Sequence, residues 1–220
     1  MIYALHGMLG GPEDWEALGL DDLVALNLWD YHGSLEEVGA QIAQDVAGRG
    51  DPEPVLMGYS MGGRLALHAL LDRPVLWKRA IIISAHPGLK SEAERVARRA
   101  SDAVWAEKVR GMAWSDFLRE WNAQPVLAGQ AASPEQLALE SRRGAIARAF
   151  VDWSLGAQQP VDLKMETMGF EIDWITGEQD AKFTALAETL SGVTHHIVPD
   201  CGHRVPFERP EFLGAIVGTR

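Results

Sequence analysis

Short apolar runs alternate with amphipathic helical patterns along most of the chain. Six runs predict buried strands: Ile2–His6, Leu23–Trp29, Pro54–Tyr59, Arg79–Ser84, Glu171–Thr176 and Thr194–Val198. Helices are predicted between them, one beginning with the capping box of Ser34 and Glu37 and another running from Met61 to Leu71. Strands that alternate with helices indicate an α/β protein with a mostly parallel sheet of about six strands, covered by helices on both faces.

This alternation stops between about Leu89 and Leu163. The stretch is helical in pattern and rich in tryptophan, with a helix start marked by Ser133 and Pro134. Because a strand-to-strand crossover needs only about 10–12 residues, we expect residues 89–163 to form a helical lid. Residues 1–88 and 164–220 then form the core. Ordinary crossover helices are the alternative interpretation.

Composition narrows the class of protein. The chain has 220 residues, of which 47 % are apolar and 23 % charged, as in a single globular domain. No apolar run approaches the ~18–20 residues of a membrane span, and the first residues lack the pattern of a signal peptide. The single cysteine, Cys201, excludes an internal disulfide and a cysteine zinc cluster. A cytoplasmic protein is expected.

The formal net charge of −11 affects which partners are expected. A chain this acidic does not bind nucleic acid through a general basic surface. We expect no membrane partner and no metal. No cofactor is expected either, since Gly7–Gly11 is not a dinucleotide-binding loop. A monomer or a small homo-oligomer is expected. An anionic ligand would need a local cluster of positive charge.

The sequence Gly58-Tyr59-Ser60-Met61-Gly62 follows a predicted strand and precedes a predicted helix. This is the G-x-S-x-G pattern in the context that it requires. Glycines allow a sharp turn that exposes the Ser60 hydroxyl at the positive end of the next helix. We therefore predict that Ser60 is a nucleophile or a base. A purely structural glycine turn is the alternative.

Two residues follow later strands and can complete a catalytic triad. His203 comes after the last predicted strand, and Asp180 after Glu171–Thr176. An imidazole can both take and give a proton near neutral pH, and a carboxylate can orient it. The order Ser60, Asp180, His203 is that of an α/β-hydrolase. Glu178 is an alternative to Asp180.

Other polar residues near these strands have structural interpretations. Asp200 is expected to shape the turn before His203, and His195 and His196 to pack within a strand. The pair His6-Gly7 ends the first strand, where the oxyanion-hole segment of this fold lies. The backbone N–H groups of Met8 and Met61 are predicted to form the oxyanion hole. The His6 side chain itself is expected to be structural.

The whole chain resembles the α/β-hydrolases. More narrowly, it resembles the family of menaquinone-pathway synthases that make 2-succinyl-6-hydroxy-2,4-cyclohexadiene-1-carboxylate. The matching segments are His6–Gly10 with Trp15, Gly58–Arg64, His86-Pro87-Gly88-Leu89, Glu94–Arg99 with Asp102 and Trp105, Trp121 with Gln124-Pro125-Val126, Gly177–Phe183, and Gly202-His203. The triad segments are common to many hydrolases. His-Pro-Gly-Leu, the lid arginines and Trp-x-x-Gln-Pro-Val are much more specific.

The resemblance implies a lyase rather than an esterase. Members of the family remove pyruvate from a cyclohexene substrate with several carboxylates, the serine taking a ring proton with the help of its histidine and aspartate. The substrate-binding residues that it implies are Tyr59, Arg64, Arg98, Trp121 and Arg142. Arg143 is adjacent to Arg142, and either can align with the family position.

The distribution of charge is consistent with an anionic substrate. Between Lys90 and Arg110 there are six basic and four acidic residues, a local net charge of +2. Arg64 lies four residues, about one helical turn, after Ser60 and can point toward the same cavity. Guanidinium groups bind carboxylates bidentately and stay charged. Arg95, Arg99 and Arg110 are expected to form a solvated helix face.

The chain also departs from the family pattern. It begins at what should be the third strand of the sheet, so the usual first two strands are expected to be missing. The loop from Trp29 to Ser34 keeps only His-Gly-Ser of its expected sequence. Two other functions therefore stay open. One is a carboxylesterase or thioesterase that hydrolyses a small acidic ester through an acyl-enzyme. The other is a non-catalytic binding module.

Overall fold

The computed structural model describes residues 1–127 and 131–218. Within these residues one six-stranded sheet forms the centre of the fold. Its strands are β1 (Ile2–Leu5), β2 (Leu23–Leu26), β3 (Val55–Tyr59), β4 (Arg79–Ile83), β5 (Glu171–Gly177) and β6 (Thr194–Val198). Their order across the sheet is β2-β1-β3-β4-β5-β6, and every neighbouring pair is parallel. The predicted α/β class and six-stranded parallel sheet are therefore confirmed.

The α-helices of the described residues connect these strands or follow the last one. They are α1 (Leu35–Gly48), α2 (Met61–Asp72), α3 (Glu92–Gly111), α4 (Trp114–Asn122), α5 (Pro134–Ala138), α6 (Arg143–Asp152), α7 (Ala181–Ala187), α8 (Val205–Glu208) and α9 (Pro210–Gly218). Short 3-10 helices span Pro12–Leu18, Leu28–Asp30, Pro74–Leu76, Pro125–Leu127, Leu139–Arg142 and Asp162–Thr167. No helix in the described ranges is both long and apolar enough to span a bilayer.

The observed element ends follow local capping chemistry. The Ser34 side chain accepts a hydrogen bond from the Glu37 N–H and the Glu37 side chain accepts one from the Ser34 N–H, as the capping box predicts. The second strand ends at Leu26, three residues earlier than predicted. The reason is that Asn27 accepts a hydrogen bond from the Trp29 N–H and starts a 3-10 turn there.

Four α-helices, α3 to α6, lie between β4 and β5. They occupy the segment predicted as a lid, although residues 128–130 of that segment, like residues 219–220 of the predicted core, lie outside the described residues. Buried side chains of this segment, such as Val109, Phe117 and Phe150, join the same apolar cluster as Leu5 and Trp174 of the sheet. Helices α3, α4 and α6 therefore pack against the same apolar core as the sheet.

Alternation along the strands places apolar side chains on both faces of the sheet. In β4, Ala80 and Ile82 belong to the cluster under α1 to α3, whereas Ile81 and Ile83 belong to the cluster under α9. This double burial explains why the sequence of the strand is continuously apolar. It also leaves polar side chains to the loops at the strand ends, where the candidate site lies.

Helices α1 and α2 pack closely because α1 has a glycine at their crossing. An ideal Cβ on Gly39 would lie 2.7 Å from the backbone carbonyl carbon of His68 and 2.8 Å from the Ala69 nitrogen. Backbone atoms cannot move aside as a flexible side chain can. The position of α2, and of the turn that precedes it, therefore depends on the absence of a side chain at position 39.

We expect Gly39→Ala to lower the free energy of unfolding by about 1–3 kcal/mol, because the added methyl group forces the two helices apart. Gly48→Ala is the matched control in the same helix, since nothing lies within 4 Å of an ideal Cβ at Gly48. Urea unfolding of the two variants measures the difference. Equal stabilities would contradict the close-packing account.

Candidate active site

The Ser60 turn joins the end of β3 to the start of α2. Ser60 has φ 53° and ψ −110°, a strained conformation for a residue with a side chain. Its N–H donates a hydrogen bond to the Ile83 carbonyl at 2.8 Å. An ideal Cβ on Gly58 would lie 2.6 Å from the Gly62 carbonyl oxygen, and one on Gly62 would overlap the carbonyls of Leu5 and His6. The glycines of the motif therefore let the turn close.

Three side chains meet above this turn. His203 Nε2 lies 3.2 Å from Ser60 Oγ, and His203 Nδ1 lies 2.6 Å from Asp180 Oδ2. With the Nδ1–H donating to Asp180, Nε2 is free to accept the Ser60 proton. His203 and Asp180 are both buried. The structure thus brings together the three residues predicted from sequence as a triad.

The rival carboxylates lie elsewhere. Glu178 is exposed, and its carboxylate accepts a hydrogen bond from the Asp200 N–H at 3.1 Å. Asp200 has φ 50° and sits in the turn between β6 and His203, as expected for a residue that shapes this turn. Neither carboxylate has a hydrogen bond to His203 among the contacts of the described residues. Asp180 is therefore the partner of the imidazole.

Aromatic rings hold the His203 imidazole from two sides. The Phe183 ring centroid lies 4.6 Å from that of His203, and the Tyr59 centroid lies 5.7 Å away. Both contacts are tilted. Phe183 follows Asp180 by three residues in the first turn of α7, so one turn of chain supplies both the carboxylate and a ring that packs on the base.

Side-chain hydrogen bonds hold the segment Gly7–Gly10, which includes the predicted oxyanion-hole residue Met8. The buried His6 ring donates from Nδ1 to the Gly7 carbonyl at 2.8 Å and accepts at Nε2 from the Leu28 N–H at 3.0 Å. Trp29 Nε1 donates to the Gly10 carbonyl at 2.8 Å. The structural role predicted for His6 is confirmed. The Met8 and Met61 N–H groups have no hydrogen-bond acceptor within the described residues, and both residues line the cavity beside Ser60.

Backbone strain is concentrated at one edge of the sheet. The non-glycine residues with positive φ in the described ranges are Leu9, Ser60, Ser84 and Asp200. Each lies shortly after the carboxyl end of a strand: β1, β3, β4 and β6 respectively. Strained backbone of this kind clusters at functional sites because it re-aims side chains and N–H groups. The carboxyl edge of the sheet is therefore the candidate active site.

A cavity of about 340 Å³ opens over Ser60 and His203. This volume suits a small organic ligand. One wall is aromatic and is formed by Trp105, Trp121 and Phe150 of the helices between β4 and β5. These rings pack against each other, with the Trp105 and Trp121 centroids 5.2 Å apart. Trp121, which the family resemblance implies to be a substrate-binding residue, thus lines the cavity.

Arg64 lines this cavity with a buried guanidinium group. Its Nη1 donates to the Trp153 carbonyl at 2.7 Å, and the ion pairs of the described residues include none to Arg64. Burial and the nearby positive charge of Arg98 lower the pKa of Arg64 to about 9, and Asp102 opposes this only in part. Arg64 is therefore a desolvated cation whose charge is not fully compensated by the protein.

Arg98 also lines the cavity, but it has an acidic partner. Its Nε lies 2.8 Å from both carboxylate oxygens of Asp102. Asp102 is buried and also accepts a hydrogen bond from the Ser154 hydroxyl at 2.7 Å. The Arg98 side chain is 41 % exposed. Its direction is therefore set by Asp102, and much of its charge is balanced locally.

The structure does not bring Arg142 into the cavity lining. Its Nη1 pairs with Asp30 at 3.0 Å, and its side chain is 45 % exposed. The adjacent Arg143 instead donates to the Met112 carbonyl and to Glu140. The contacts of each side chain set its direction, and neither Arg142 nor Arg143 lines the cavity over Ser60 in this structure.

Tyr59 is also outside the lining of the large cavity. Its ring packs close to Gly7, where an ideal Cβ would lie 2.8 Å from Tyr59 Cε1. It faces a small neighbouring cavity of about 60 Å³. Burial raises the pKa of its hydroxyl well above the usual value. In this geometry Tyr59 supports His203 rather than lining the space above Ser60.

The remaining charged and histidine side chains have structural contacts. The three arginines expected on a solvated face pair with acids of their own helix: Arg95 and Arg99 with Glu92, and Arg110 with Glu107. In the sheet, His195 contacts Thr176 and His196 contacts Asp173. These placements match the expectations. In the described part of the chain no group of His, Cys, Asp and Glu side chains could hold a metal ion.

Several cavity residues had no role in the sequence interpretation, among them Ser84, Phe150, Lys182 and Phe183. Lys182 and Phe183 lie inside the segment Gly177–Phe183 that resembles the family, and this position is the signal that identifies them. Ser84 follows β4 as Ser60 follows β3, and its buried hydroxyl has no hydrogen-bond partner within the residues described. Phe150 carries no signal beyond its apolar periodicity.

A parallel sheet with a serine, an aspartate and a histidine, in this chain order, at its carboxyl edge is typical of an alpha/beta hydrolase. The model of the alpha/beta hydrolase family matches residues 2–216, and the chain belongs to this family. Among curated proteins, it is similar to 2-succinyl-6-hydroxy-2,4-cyclohexadiene-1-carboxylate synthases. That of Citrobacter koseri is 36 % identical, over 94 % of this chain and 87 % of the relative. That of Enterobacter sp. (strain 638) is 32 % identical, over 96 % and 87 %.

Solved structures share the fold. The structure of MenH from S. aureus has a TM-score of 0.86 and 20 % identity, and the match covers 98 % of this chain and 91 % of that one. A malate-bound thermophilic esterase from Thermogutta terrifontis has a TM-score of 0.76 and 18 % identity, with 98 % and 87 % covered. The resemblance inferred from the motifs is confirmed by the curated relatives, and the fold by these structures.

The buried His6 generates a pH prediction. Burial lowers its pKa from an ordinary 6.5 to about 4. The unfolded chain therefore takes up a proton on His6 at a higher pH than the folded chain. The stability of the fold should fall as pH is lowered from about 6.5 to about 4, by roughly 3 kcal/mol from this group.

Denaturant unfolding at several pH values measures this loss. His6→Gln removes the titrating group, so its stability should fall less steeply across the same window. His32→Gln, which changes an exposed histidine, is the matched control and should keep the slope of the native sequence. Parallel slopes for all three proteins would contradict the assignment of the loss to His6.

Proposed function

We propose that this chain is a lyase that eliminates pyruvate from a polycarboxylate cyclohexene to give 2-succinyl-6-hydroxy-2,4-cyclohexadiene-1-carboxylate. The observation that carries the proposal is the buried, incompletely compensated guanidinium of Arg64 beside the serine, histidine and aspartate. A site for neutral esters has no use for a desolvated cation. A substrate carboxylate supplies the missing negative charge. The similarity to synthases of this name also supports it.

In this proposal Ser60, His203 and Asp180 act together as the base. The Ser60 oxygen takes a proton from the ring carbon that carries the succinyl group. At the same time the Ser60 O–H proton moves to His203 Nε2, across the 3.2 Å contact. Asp180, at 2.6 Å from Nδ1, stabilises the imidazolium that forms.

The proton removed lies next to the succinyl ketone, so its loss gives an enolate. We assign the enolate oxygen to the N–H groups of Met8 and Met61 beside Ser60. When the enolate collapses, the ring double bond shifts and the carbon–oxygen bond to the enolpyruvyl group breaks. The leaving group departs as the enolate of pyruvate. One proton, equivalent to the one held on His203, adds to its carbon, which gives pyruvate and restores the base. The proton count balances, and no cofactor is consumed.

The walls of the cavity supply binding and exclusion of water. Arg64 and Arg98 are assigned to substrate carboxylates, and Trp121 with Trp105 and Phe150 to the face of the ring. We propose that residues 89–163 act as a lid, because they carry Arg98 and the aromatic wall. A dry site strengthens each ionic contact. The proposal also includes a small anionic substrate, a monomer or small homo-oligomer, and a cytoplasmic location.

Hydrolysis of a small acidic ester is the second candidate. The same Ser60–His203 contact of 3.2 Å suits attack on a carbonyl carbon, with an acyl-enzyme as intermediate. Arg64 and Arg98 would then hold the acid group of the ester. The chemistry of the base is shared, so only the products separate the two candidates.

The test follows pyruvate release and the ultraviolet absorbance of the diene, with the cyclohexene substrate generated enzymatically. We expect rapid release by the native sequence. Pyruvate release by Ser60→Ala should be slower by at least about 10³-fold, because the Ser60 hydroxyl acts as one unit with His203 and Asp180. Ser141→Ala, an exposed serine on the lid segment, is the matched control and should keep full activity.

Two outcomes would contradict the proposal. Pyruvate release that survives Ser60→Ala would remove Ser60 from the mechanism. Absence of release from the native sequence, together with hydrolysis of short p-nitrophenyl esters, would favour the esterase. Labelling by a fluorophosphonate tests the non-catalytic alternative, because an inert scaffold should leave Ser60 unlabelled.

A further inference from the structure

The positive charge of the large cavity comes from three elements of the described structure. Arg64 lies on α2, Arg98 on α3 and Lys182 on α7, and all three line the cavity. Arg98 is tied to Asp102 through two contacts of 2.8 Å. Arg142 is tied to Asp30 outside the lining. Arg64 and Lys182 are therefore the lining cations without a carboxylate within ion-pair distance in the described residues.

We propose that Lys182 forms the second carboxylate subsite, at the mouth of the cavity, in the role that the family resemblance gives to Arg142. This inference rests on the proposed function, since it needs a substrate with at least two carboxylates. One carboxylate binds the buried Arg64, and another binds Lys182. Arg98, whose charge Asp102 balances in part, lies near Arg64 and is assigned to the same carboxylate as Arg64.

The position of Lys182 is set by the triad itself. It is the second residue of α7 and follows Asp180 by two residues. The next residue, Phe183, packs on His203 with a centroid distance of 4.6 Å and on His86 with 6.5 Å. The base of the Lys182 side chain is thus fixed relative to the Ser60–His203 pair. Its Nζ lies 5.8 Å from the centroid of the Phe183 ring.

The exposed end of Lys182 suits the mouth of the site. A lysine ammonium is a compact, hydrated charge on a flexible stem, so it can meet a carboxylate before that group has lost its water. The chain carries a net charge of −11, which repels an anion at long range. A cation at the entrance of the cavity opposes this repulsion at the point where the anion enters. Buried Arg64 cannot do so.

The arrangement limits the substrate class. Arg64 lies on the helix that follows β3 and Lys182 on the helix that follows β5, and β4 separates these two strands in the sheet. We therefore assign the two carboxylates to separate arms of the substrate, with the reacting carbon over Ser60. A succinyl arm and a ring carboxylate fulfil this condition. A monocarboxylate can fill only one of the two subsites.

The test compares Lys182→Gln with Arg142→Gln and Lys78→Gln, each of which removes one positive charge. Lys78 is the matched control, because it pairs with the exposed Glu53 and precedes β4 at the opposite end of the strands. Two quantities are measured for each protein. One is the KM and kcat of pyruvate release; the other is the Kd of 2-succinylbenzoate, an aromatic dicarboxylate, titrated into the Ser60→Ala background.

We expect Lys182→Gln to raise KM and Kd about 10-fold and to leave kcat within about twofold. Lys182→Arg should restore most of the affinity, since it keeps the charge. The effect of Lys182→Gln should shrink as ionic strength rises from about 0.05 to about 0.5 M, because an exposed charge is screened. Arg142→Gln and Lys78→Gln should resemble the native sequence in every measurement.

The inference is overturned in three ways. Loss of affinity in Arg142→Gln but not in Lys182→Gln would show that Arg142, and not Lys182, forms the second carboxylate subsite. Equal values for Lys182→Gln and Lys78→Gln would reduce Lys182 to a general surface charge. A fall in kcat at unchanged KM would give it another role. Failure of the proposed function looks different: then the native sequence neither releases pyruvate nor binds 2-succinylbenzoate.

Discussion

The contact between the first turn of α2 and the ends of β1 and β3 controls the geometry of the site. Gly62 lies so close to the Leu5 and His6 carbonyls that no side chain fits at that position. This contact holds Ser60 in its strained conformation, directs the Met61 N–H into the cavity and places Arg64 one turn further along. The positions of Ser60, of the Met61 N–H and of the buried Arg64 are therefore consequences of one packing constraint.

The electrostatics of the site oppose those of the whole molecule. A chain with a net charge of −11 keeps Arg64 buried with a backbone carbonyl as its hydrogen-bond partner and without a full counter-charge. Such a group destabilises the empty protein. A bound carboxylate removes that cost, and this makes the cavity selective for anions. The charge of the pocket, more than the triad, thus distinguishes a site for anionic substrates from a site for neutral esters.

Sequence was sufficient where local rules decide the structure. The six strands follow apolar runs bounded by turns, and the Ser60 turn follows from glycines that permit it. The sequence favoured Asp180 but left Glu178 as an alternative, because both residues closely follow β5. The hydrogen bond of 2.6 Å to His203 Nδ1 makes that distinction.

Sequence does not give the direction of a long side chain that can contact several partners. Arg142 pairs with Asp30, which lies more than a hundred positions earlier, and no spacing rule connects the two. Tyr59 turns toward Gly7 because that residue leaves room for its ring. Lys182 was overlooked for the opposite reason, since an exposed lysine beside a catalytic residue resembles any surface lysine until the cavity is seen.

The most direct measurement is a calorimetric titration of 2-succinylbenzoate into Ser60→Ala and into Ser60→Ala with Arg64→Gln. The central claim is that the buried Arg64 charge provides the affinity for an anionic substrate. We predict that the second protein, which should unfold in a single transition at no lower temperature than the first, binds at least about 30-fold more weakly, as for loss of a desolvated ionic contact. Equal affinities would show that the buried cation has no part in binding and would contradict the account.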